Sequence, residues 1–189
     1  MEKHYKWQEY RDNISVKYTK EYQSWTSKQK KQWGHYLAGF WEGEGSMTVS
    51  FKEHKTSKFG LYIDPEVSLT QSVEGIHLLI WAKCYFRTGR VFLKSGTTNI
   101  WVYSITNRKS ILENFVPFFE KHMFLWTGKQ KTFTVYKEII LRLENKDHSS
   151  LEGAKEIARL GYQINSTKGK GRKRSLSEVL RFMGESNKV

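Results

Sequence analysis

The sequence predicts an α+β fold in which a four-stranded antiparallel sheet has helices on one face. Two observations support this class. Predicted strands come in two pairs, the first pair marked by alternating polar and apolar residues, and each pair follows a segment with helical spacing of apolar residues. A helix-strand-strand unit used twice is typical of a layered α+β domain. The predicted order is a helix ending near residue 44, strands at 46–53 and 62–71, a helix at 74–86, and strands at 90–94 and 99–105.

The first of these helices combines an apolar stripe with two glycines on a different face. Gly39 and Gly43 lie four residues apart, and by analogy with membrane helices this spacing lets a second helix come close. We expect the helix to begin after a cap at Thr26 or Ser27. It should stop in a Gly-Glu-Gly turn, which places the Glu44 carboxylate at the helix end. The stripe consists of Trp33, Tyr36, Leu37, Phe40 and Trp41.

Residues 1–25 form an N-terminal extension ahead of the main domain, residues 26–189. Aromatic residues are scattered among charged residues there, and their periodicity is weak. We expect this extension to contain some helix. Two interpretations stay open at this point: the extension packs on the domain, or it reaches along DNA.

The strands of the first pair each bury one face, because apolar and polar residues alternate along both. Pro65 lies within the second strand and indicates an edge strand or a bulge, since proline cannot donate to a sheet ladder. The second pair should form a hairpin around Gly96. The apolar positions of the first pair are Met47, Val49 and Phe51, then Ile63, Val67 and Leu69.

Further helices follow the predicted sheet, again on the evidence of apolar residues at helical spacing. They cover about residues 108–121 with an interruption at Pro117, about 129–144, a segment from about 150, and a last segment capped by Ser175 or Ser177 and running into Met183.

The composition indicates a polyanionic partner. The chain has 32 Lys+Arg against 19 Asp+Glu, a net charge of +13. Its single cysteine, Cys84, excludes an internal disulfide and a cysteine-rich zinc site, and we expect a buried, inert thiol. No stretch approaches the roughly 20 apolar residues that span a membrane. The N-terminus lacks the features of a signal or transit peptide, so we expect bacterial cytoplasm or an organelle that encodes the gene.

One face of the predicted sheet is polar and basic. A solvated face is the ordinary interpretation, but the charge excess favours contact with DNA, where a two-stranded ribbon fits the major groove. Phe92 and Trp101 are assigned to the same face by their parity. The polar candidates are Ser50, Lys52, Glu66, Ser68, Thr70, Arg90, Lys94 and Asn99.

A glycine-punctuated basic run lies near the C-terminus. By itself it is a solvated loop or a localisation-like patch. After a DNA-binding domain it is better interpreted as a loop that grips phosphates. Its basic residues include Lys168, Lys170, Arg172 and Lys173.

The end of the first helix resembles the LAGLIDADG motif of the LAGLIDADG homing endonucleases. Leucine, alanine, glycine, two acids and the closing glycine match, with glutamate in place of both aspartates. The resemblance covers about residues 33–180 and implies an αββαββα core with a saddle-shaped sheet. The nine residues are Leu37-Ala38-Gly39-Phe40-Trp41-Glu42-Gly43-Glu44-Gly45.

The resemblance also implies an active site. In the family the last acid of the motif, here Glu44, binds the metal together with the preceding backbone carbonyl, here of Gly43. Gln71 matches a residue that orders active-site water, and Lys129 matches one near the scissile phosphate. The hard oxygen ligands suit Mg²⁺. Where close relatives have an arginine shortly after the glutamine, this chain has the tripeptide 73–75, Val-Glu-Gly.

Glu42 is the other acid of the motif. It is interpreted either as a second metal ligand or, with more weight, as a residue that faces the basic surface or caps backbone.

One motif per chain predicts a homodimer. The sequence lacks the dense carboxylate cluster of a self-contained nuclease, and two copies of the helix packed through Gly39 and Gly43 would bring two Glu44 carboxylates together. The predicted function is metal-dependent cleavage of both strands of a long pseudo-palindromic DNA site. Two alternatives stay open: an RNA maturase that binds intron RNA, and a DNA-binding protein with an inactive site.

Overall fold

The computed structural model describes residues 2–122, 128–164 and 174–186, with the backbone alone at residues 2–8 and 186. Its order of elements confirms the predicted α+β class and the αββαββα core. The elements are α1 (Glu2–Ser24), α2 (Ser27–Glu44), β1 (Gly45–Glu53), β2 (Leu61–Ser72), α3 (Ile76–Phe86), β3 (Arg90–Leu93), β4 (Ile100–Ile105), α4 (Arg108–Ser110), a π turn (Ile111–Phe115), α5 (Val116–His122), α6 (Gln130–Glu144), α7 (Leu151–Ile164) and α8 (Leu176–Ser186).

The four strands form one antiparallel sheet in the order β1-β2-β4-β3. Strand β2 is therefore an interior strand, and the edge position predicted from Pro65 is wrong, whereas a bulge at Pro65 stays a prediction. The reason lies in the register. Pairing of β2 with β4 runs from Val67 opposite Ile105 to Ser72 opposite Ile100, so it begins two residues beyond Pro65. The N–H that proline lacks therefore falls outside the ladder with β4.

The chain divides into two compact units, which we describe separately. The first comprises residues 1–46 and 67–126, and the second residues 47–66 and 127–189. Helix α1 belongs to the first unit; the predicted domain boundary after residue 25 stays a prediction.

In the first unit, helix α2 buries a different stripe from the predicted one. Tyr36 is 52% exposed and Phe40 is half-buried, although both were expected inside. Gly34 and Ala38 are buried in their place. At Gly34 the reason is the close approach of helix α3, since a Cβ on Gly34 would lie 2.9 Å from the Tyr85 hydroxyl. The buried stripe is Trp33, Gly34, Leu37, Ala38 and Trp41.

Helix α1 packs against α3 in the first unit, which answers one question that the sequence leaves open. The Tyr18 ring lies 5.5 Å from His77 and 5.8 Å from Trp81, measured between centroids. The Cys84 thiol donates to the Thr19 hydroxyl at 3.7 Å. Cys84 is half-buried, so the expected full burial of this thiol is wrong.

Helix α2 begins with a reciprocal capping box at Thr26. The Gln29 backbone N–H donates to the Thr26 hydroxyl at 3.2 Å, and the Thr26 N–H donates to the Gln29 side-chain oxygen at 2.8 Å. Two of the otherwise unpaired donors at this helix end are thereby satisfied. Of the two predicted caps, the structure selects Thr26 over Ser27.

We expect Thr26→Ala to lower the free energy of unfolding by about 1 kcal/mol, because the Gln29 N–H loses its acceptor. Urea unfolding at fixed protein concentration measures the change. Thr26→Ser keeps the hydroxyl and should stay near wild type. Equal losses in both variants would assign the effect to the threonine methyl group instead.

The second unit is built on the helices after residue 128. Helix α6 buries Phe133, Tyr136, Ile139, Ile140 and Leu143. Helices α7 and α8 share an apolar cluster. Ser175 caps α8, because the Glu178 carboxylate accepts from the Ser175 backbone N–H at 2.6 Å and from the Ser175 hydroxyl at 2.7 Å. These bonds hold the pKa of Glu178 below its ordinary value. The cluster consists of Phe59, Leu61, Ala154, Ala158, Val179 and Met183.

Candidate nuclease site and nucleic-acid interface

Glu44 is the last residue of helix α2, and its side chain is exposed. Its predicted place at the helix end is confirmed, but the predicted turn is wrong, because β1 begins directly at Gly45. The space around Gly45 explains the abrupt change. A Cβ there would lie 1.9 Å from the Trp41 indole, so the chain passes directly over this ring. The carboxylate is thus held at a fixed junction of helix and strand.

Gly39 and Gly43 lie on the exposed face of α2. In the described part of the chain, no atom outside their own helical surroundings comes within 4 Å of a Cβ built on either residue. The exposed Tyr36 ring lies on the same side of the helix. This face can therefore accept a closely packed helix without any rearrangement of the described residues.

Glu42 occupies a different environment from Glu44. Two residues turn a helix by about 200°, so the two acids lie on opposite sides of α2. Glu42 is half-buried with one carboxylate oxygen inaccessible to solvent, whereas Glu44 is exposed. The motif therefore presents one acid to solvent and turns the other inward.

Gln71 lies near the end of β2, opposite Trp101. It lies on the same face of β2 as the buried Leu69 and is half-buried. Its amide packs against the tight turn that follows the strand, since a Cβ on Gly75 would lie 2.6 Å from the Gln71 Oε1. In the same turn the Ser72 hydroxyl lowers the pKa of Glu74. A negative charge therefore stands where the family resemblance leads us to expect an arginine.

Lys129 belongs to the second unit. It is the residue that precedes α6, its carbonyl accepts from the Phe133 N–H at 2.8 Å, and its side chain is half-buried. Among the described residues, no three His, Cys, Asp or Glu side chains form a group that could hold a metal ion.

In the first unit, the polar sheet face is defined by the register of β2, β4 and β3. Ser68 lies opposite Ser104, and Ser104 lies opposite Arg90. The Arg90 guanidinium stacks over the Phe92 ring at 5.0 Å. This register places Arg90, Phe92 and the even-numbered residues of β2 on one face of the sheet, as the sequence predicts. The accessible residues of the polar sheet face in this unit are Ser68, Thr70, Arg90 and Phe92.

The assignment of Trp101 to this face is wrong. Trp101 lies opposite Gln71 and Leu93 and is 1% exposed, so it belongs to the buried face of β4. Lys94 and Asn99 are exposed in the connection between β3 and β4, outside the strands. Ser104 and Val102 lie on the same side of the sheet as Thr70 and Arg90, but they are buried, at 1% and 9% exposure, so they do not add accessible groups to this face.

In the second unit, the same face contains an ion pair that the sequence did not indicate. The Lys52 ammonium pairs with the Asp64 carboxylate across β1 and β2. The Ser50 hydroxyl donates to the Asp64 carbonyl at 3.4 Å. Tyr62, also missed, is 47% exposed beside the His54 ring. Both missed residues share the parity of Glu66, which is the signal that could have found them.

Lys168, Lys170, Arg172 and Lys173 lie outside the described residues. The described chain resumes at Arg174, whose guanidinium pairs with Glu53 at the end of β1. The Tyr162 hydroxyl donates to the Arg174 carbonyl at 2.8 Å. These contacts anchor the residue that follows the basic run within the second unit.

None of the described helices combines the length and apolarity needed to cross a membrane.

Comparison with known proteins gives a consistent set of relatives. The family model described as LAGLIDADG endonuclease matches residues 37–140. The DNA endonuclease I-CeuI of Chlamydomonas moewusii is 40% identical over 119 residues, which is 62% of this chain and 55% of that protein. The homing endonuclease I-ApeII of Aeropyrum pernix is 26% identical over 151 residues, covering 78% of this chain and 88% of that protein.

Solved structures agree. I-CeuI complexed with DNA has a TM-score of 0.77 at 30% identity and covers 94% of this chain and 88% of its own. The archaeal intron-encoded homing endonuclease I-Vdi141I, also complexed with DNA, has a TM-score of 0.77 at 29% identity. The match covers 82% of this chain and 97% of that chain. The family model starts at Leu37, the first residue of the motif. This chain, with its single copy of the motif, therefore belongs to the LAGLIDADG endonuclease family.

Proposed function

We propose that the chain is a sequence-specific homing endonuclease that cleaves both strands of a long pseudo-palindromic DNA site as a homodimer. The observation that carries the proposal is the exposed Glu44 carboxylate at the end of α2, next to a helix face with open space at Gly39 and Gly43. Family relatives named as homing endonucleases, two of them solved with DNA, support the same activity.

Mg²⁺ is the proposed cofactor. The C-terminal end of a helix has a partial negative charge, and Glu44 adds a full one at the same place, so the donor set suits a hard divalent cation. Glu44 and the Gly43 carbonyl would hold the ion, with the matching residues of a second copy completing the oxygen ligands. When bound, Mg²⁺ supplies positive charge that stabilises the scissile phosphate as negative charge develops on it.

Two further residues have proposed catalytic roles. The Gln71 amide offers both a donor and an acceptor, which suits the orientation of an attacking water. The Lys129 ammonium would add positive charge near the scissile phosphate. Both roles rest on the match to the family motif, and the tripeptide after Ser72, which contains Glu74, supplies no arginine to assist them.

Sequence specificity is proposed to reside on the polar sheet face. Its donors and acceptors can contact base edges in the major groove, while the basic run 168–173 contacts phosphates. Affinity should fall steeply with salt, because phosphate contacts release counterions.

The homodimer can be tested at Gly39. We expect Gly39→Leu to weaken the dimer by roughly tenfold or more in dissociation constant, because the side chain separates the paired helices. Sedimentation velocity over a concentration series measures this. Gly184→Leu is the matched control, since it also points into open space from a helix. An unchanged dimer in Gly39→Leu would contradict packing through this face.

The activity itself is tested with purified protein, Mg²⁺ and a randomised duplex library. Double-strand cuts at one recurring sequence are the expected result. If the protein enriches a site without cutting it, the chain is a DNA-binding protein with an inactive site. If it enriches no DNA but shifts intron RNA in a gel, the maturase hypothesis replaces the endonuclease. Localisation in an organelle or in bacterial cytoplasm stays a prediction.

A further inference from the structure

The ion pair between Lys52 and Asp64 is unequal in its exposure to solvent. The Lys52 side chain is 62% exposed, whereas the Asp64 side chain is 17% exposed. The aspartate therefore sits low in the polar sheet face with the ammonium above it. Its backbone is fixed by the hydrogen bond from Ser50, so the carboxylate has a defined place on the face.

Stability does not account for this pair. Solvent screens the exposed ammonium, and the half-buried carboxylate gives up hydration on folding, so the pair contributes little net stability. A carboxylate also opposes the approach of a polyanion. Glu66 adds a second carboxylate on the same strand. Burial is the main reason that the pKa of Tyr136 is raised, and the charges of Glu66 and Asp64 raise it further. The polar sheet face in this unit is thus locally acidic within a chain of net charge +13.

Major-groove chemistry gives a carboxylate a specific use. A lysine ammonium donates to the O6 and N7 acceptors of guanine, whereas a carboxylate can accept from the N4 amino group of cytosine. One G·C pair presents both kinds of group at its major-groove edge. An A·T pair also presents acceptors and an amino donor at this edge, but in a different order, with the amino group between the two acceptors and a methyl group at the outer edge. An ammonium and a carboxylate placed for the order of G·C therefore lose water at A·T without both gaining a partner.

We propose that Asp64 is a specificity-determining residue that acts together with Lys52 to select a G·C pair in each half-site. Lys52 donates to the guanine and Asp64 accepts from the cytosine. In the free protein the two side chains neutralise each other, so Lys52 contributes little to binding of unrelated sequences. This inference rests on the proposed function, because it requires that the polar sheet face contacts DNA.

The test measures base preference in the absence of cleavage. Wild type, Asp64→Asn, Lys52→Ala and Glu138→Gln each select from a randomised duplex library in EDTA, and the bound sequences are counted. Glu138→Gln is the matched control: it also removes one negative charge from an ion pair, here with Arg142 on the surface of α6. Circular dichroism and thermal midpoints confirm that each variant is folded.

We expect wild type to require a G·C pair at one position of each half-site. Asp64→Asn and Lys52→Ala should each reduce that preference by about tenfold or more at this position, as loss of one good base contact does. Preference elsewhere should be unchanged, and Glu138→Gln should leave every position as in wild type.

The inference is overturned if wild type selects a site but Asp64→Asn keeps the same preferences and merely binds all sequences more tightly, as a simple loss of negative charge predicts. A different outcome would count against the proposed function: wild type itself would select no DNA sequence. The two failures are therefore distinguishable in one experiment.

Discussion

Glu44→Gln is expected to abolish cleavage and to leave DNA affinity intact. The amide has nearly the shape of the carboxylate but no charge, so it no longer holds a divalent cation at the end of α2. Loss of several kcal/mol of stabilisation at the phosphate corresponds to a fall in rate on the order of 10³-fold or more. Single-turnover cleavage of the selected site in Mg²⁺ measures the rate, and binding in EDTA measures the affinity.

Glu42→Gln is the control for this experiment. It makes the same chemical change two residues earlier, at an acid that is half-buried on the other side of the helix. We expect it to cleave. Cleavage by Glu44→Gln at the wild-type rate would refute the assignment of Glu44, and loss of cleavage in both variants would mean that the motif needs both acids.

Gly45→Ala is expected to destabilise the protein by about 3 kcal/mol or more. Its Cβ would lie 1.9 Å from Trp41 Cδ1 and 2.2 Å from Nε1, well inside van der Waals contact. The ring cannot yield easily, because Trp41 is fully buried among three phenylalanines: Phe86, Phe115 and Phe119. Overpacking of a dense core typically costs 1–3 kcal/mol, and a rigid aromatic neighbour places this site at the upper end.

Urea unfolding at fixed protein concentration measures this loss, since dimerisation would otherwise shift the apparent stability. Gly184→Ala provides the opposite control. It lies within α8, and an added Cβ there meets nothing within 4 Å, so alanine should be neutral or stabilising by up to about 1 kcal/mol. Equal stabilities for wild type and Gly45→Ala would show that the junction relaxes at little cost.

The order of the elements could be predicted because it depends on local periodicity. The alternation in β1, the alternation in β2 and the cap at Thr26 each depend on a few adjacent residues. The structure contains both strands and the cap. Glu44 could be placed at a helix end for the same reason.

The wrong predictions concern features that depend on packing between elements. Hydrophobicity favours Tyr36 over Gly34 for the inside of α2, but the close approach of Tyr85 from α3 leaves no room for a larger side chain at Gly34. Trp101 was misplaced because a parity count across a turn needs the hairpin register, which the sequence does not state. Asp64 was overlooked since its partner, Lys52, lies on another strand. The proposed roles of Gln71 and Lys129 rest on the family resemblance.

The direct passage from α2 into β1 has a consequence for how the protein can change over time. A single inserted residue between Glu44 and Gly45 would exchange the two faces of β1, sending Met47 and Val49 to solvent and Ser50 and Lys52 into the core. Insertions and deletions are therefore excluded at this junction, whereas the connections at residues 54–60 and 94–99 can vary in length. New target sites in this lineage should arise by point substitution along β1 and by remodelling of the two connections.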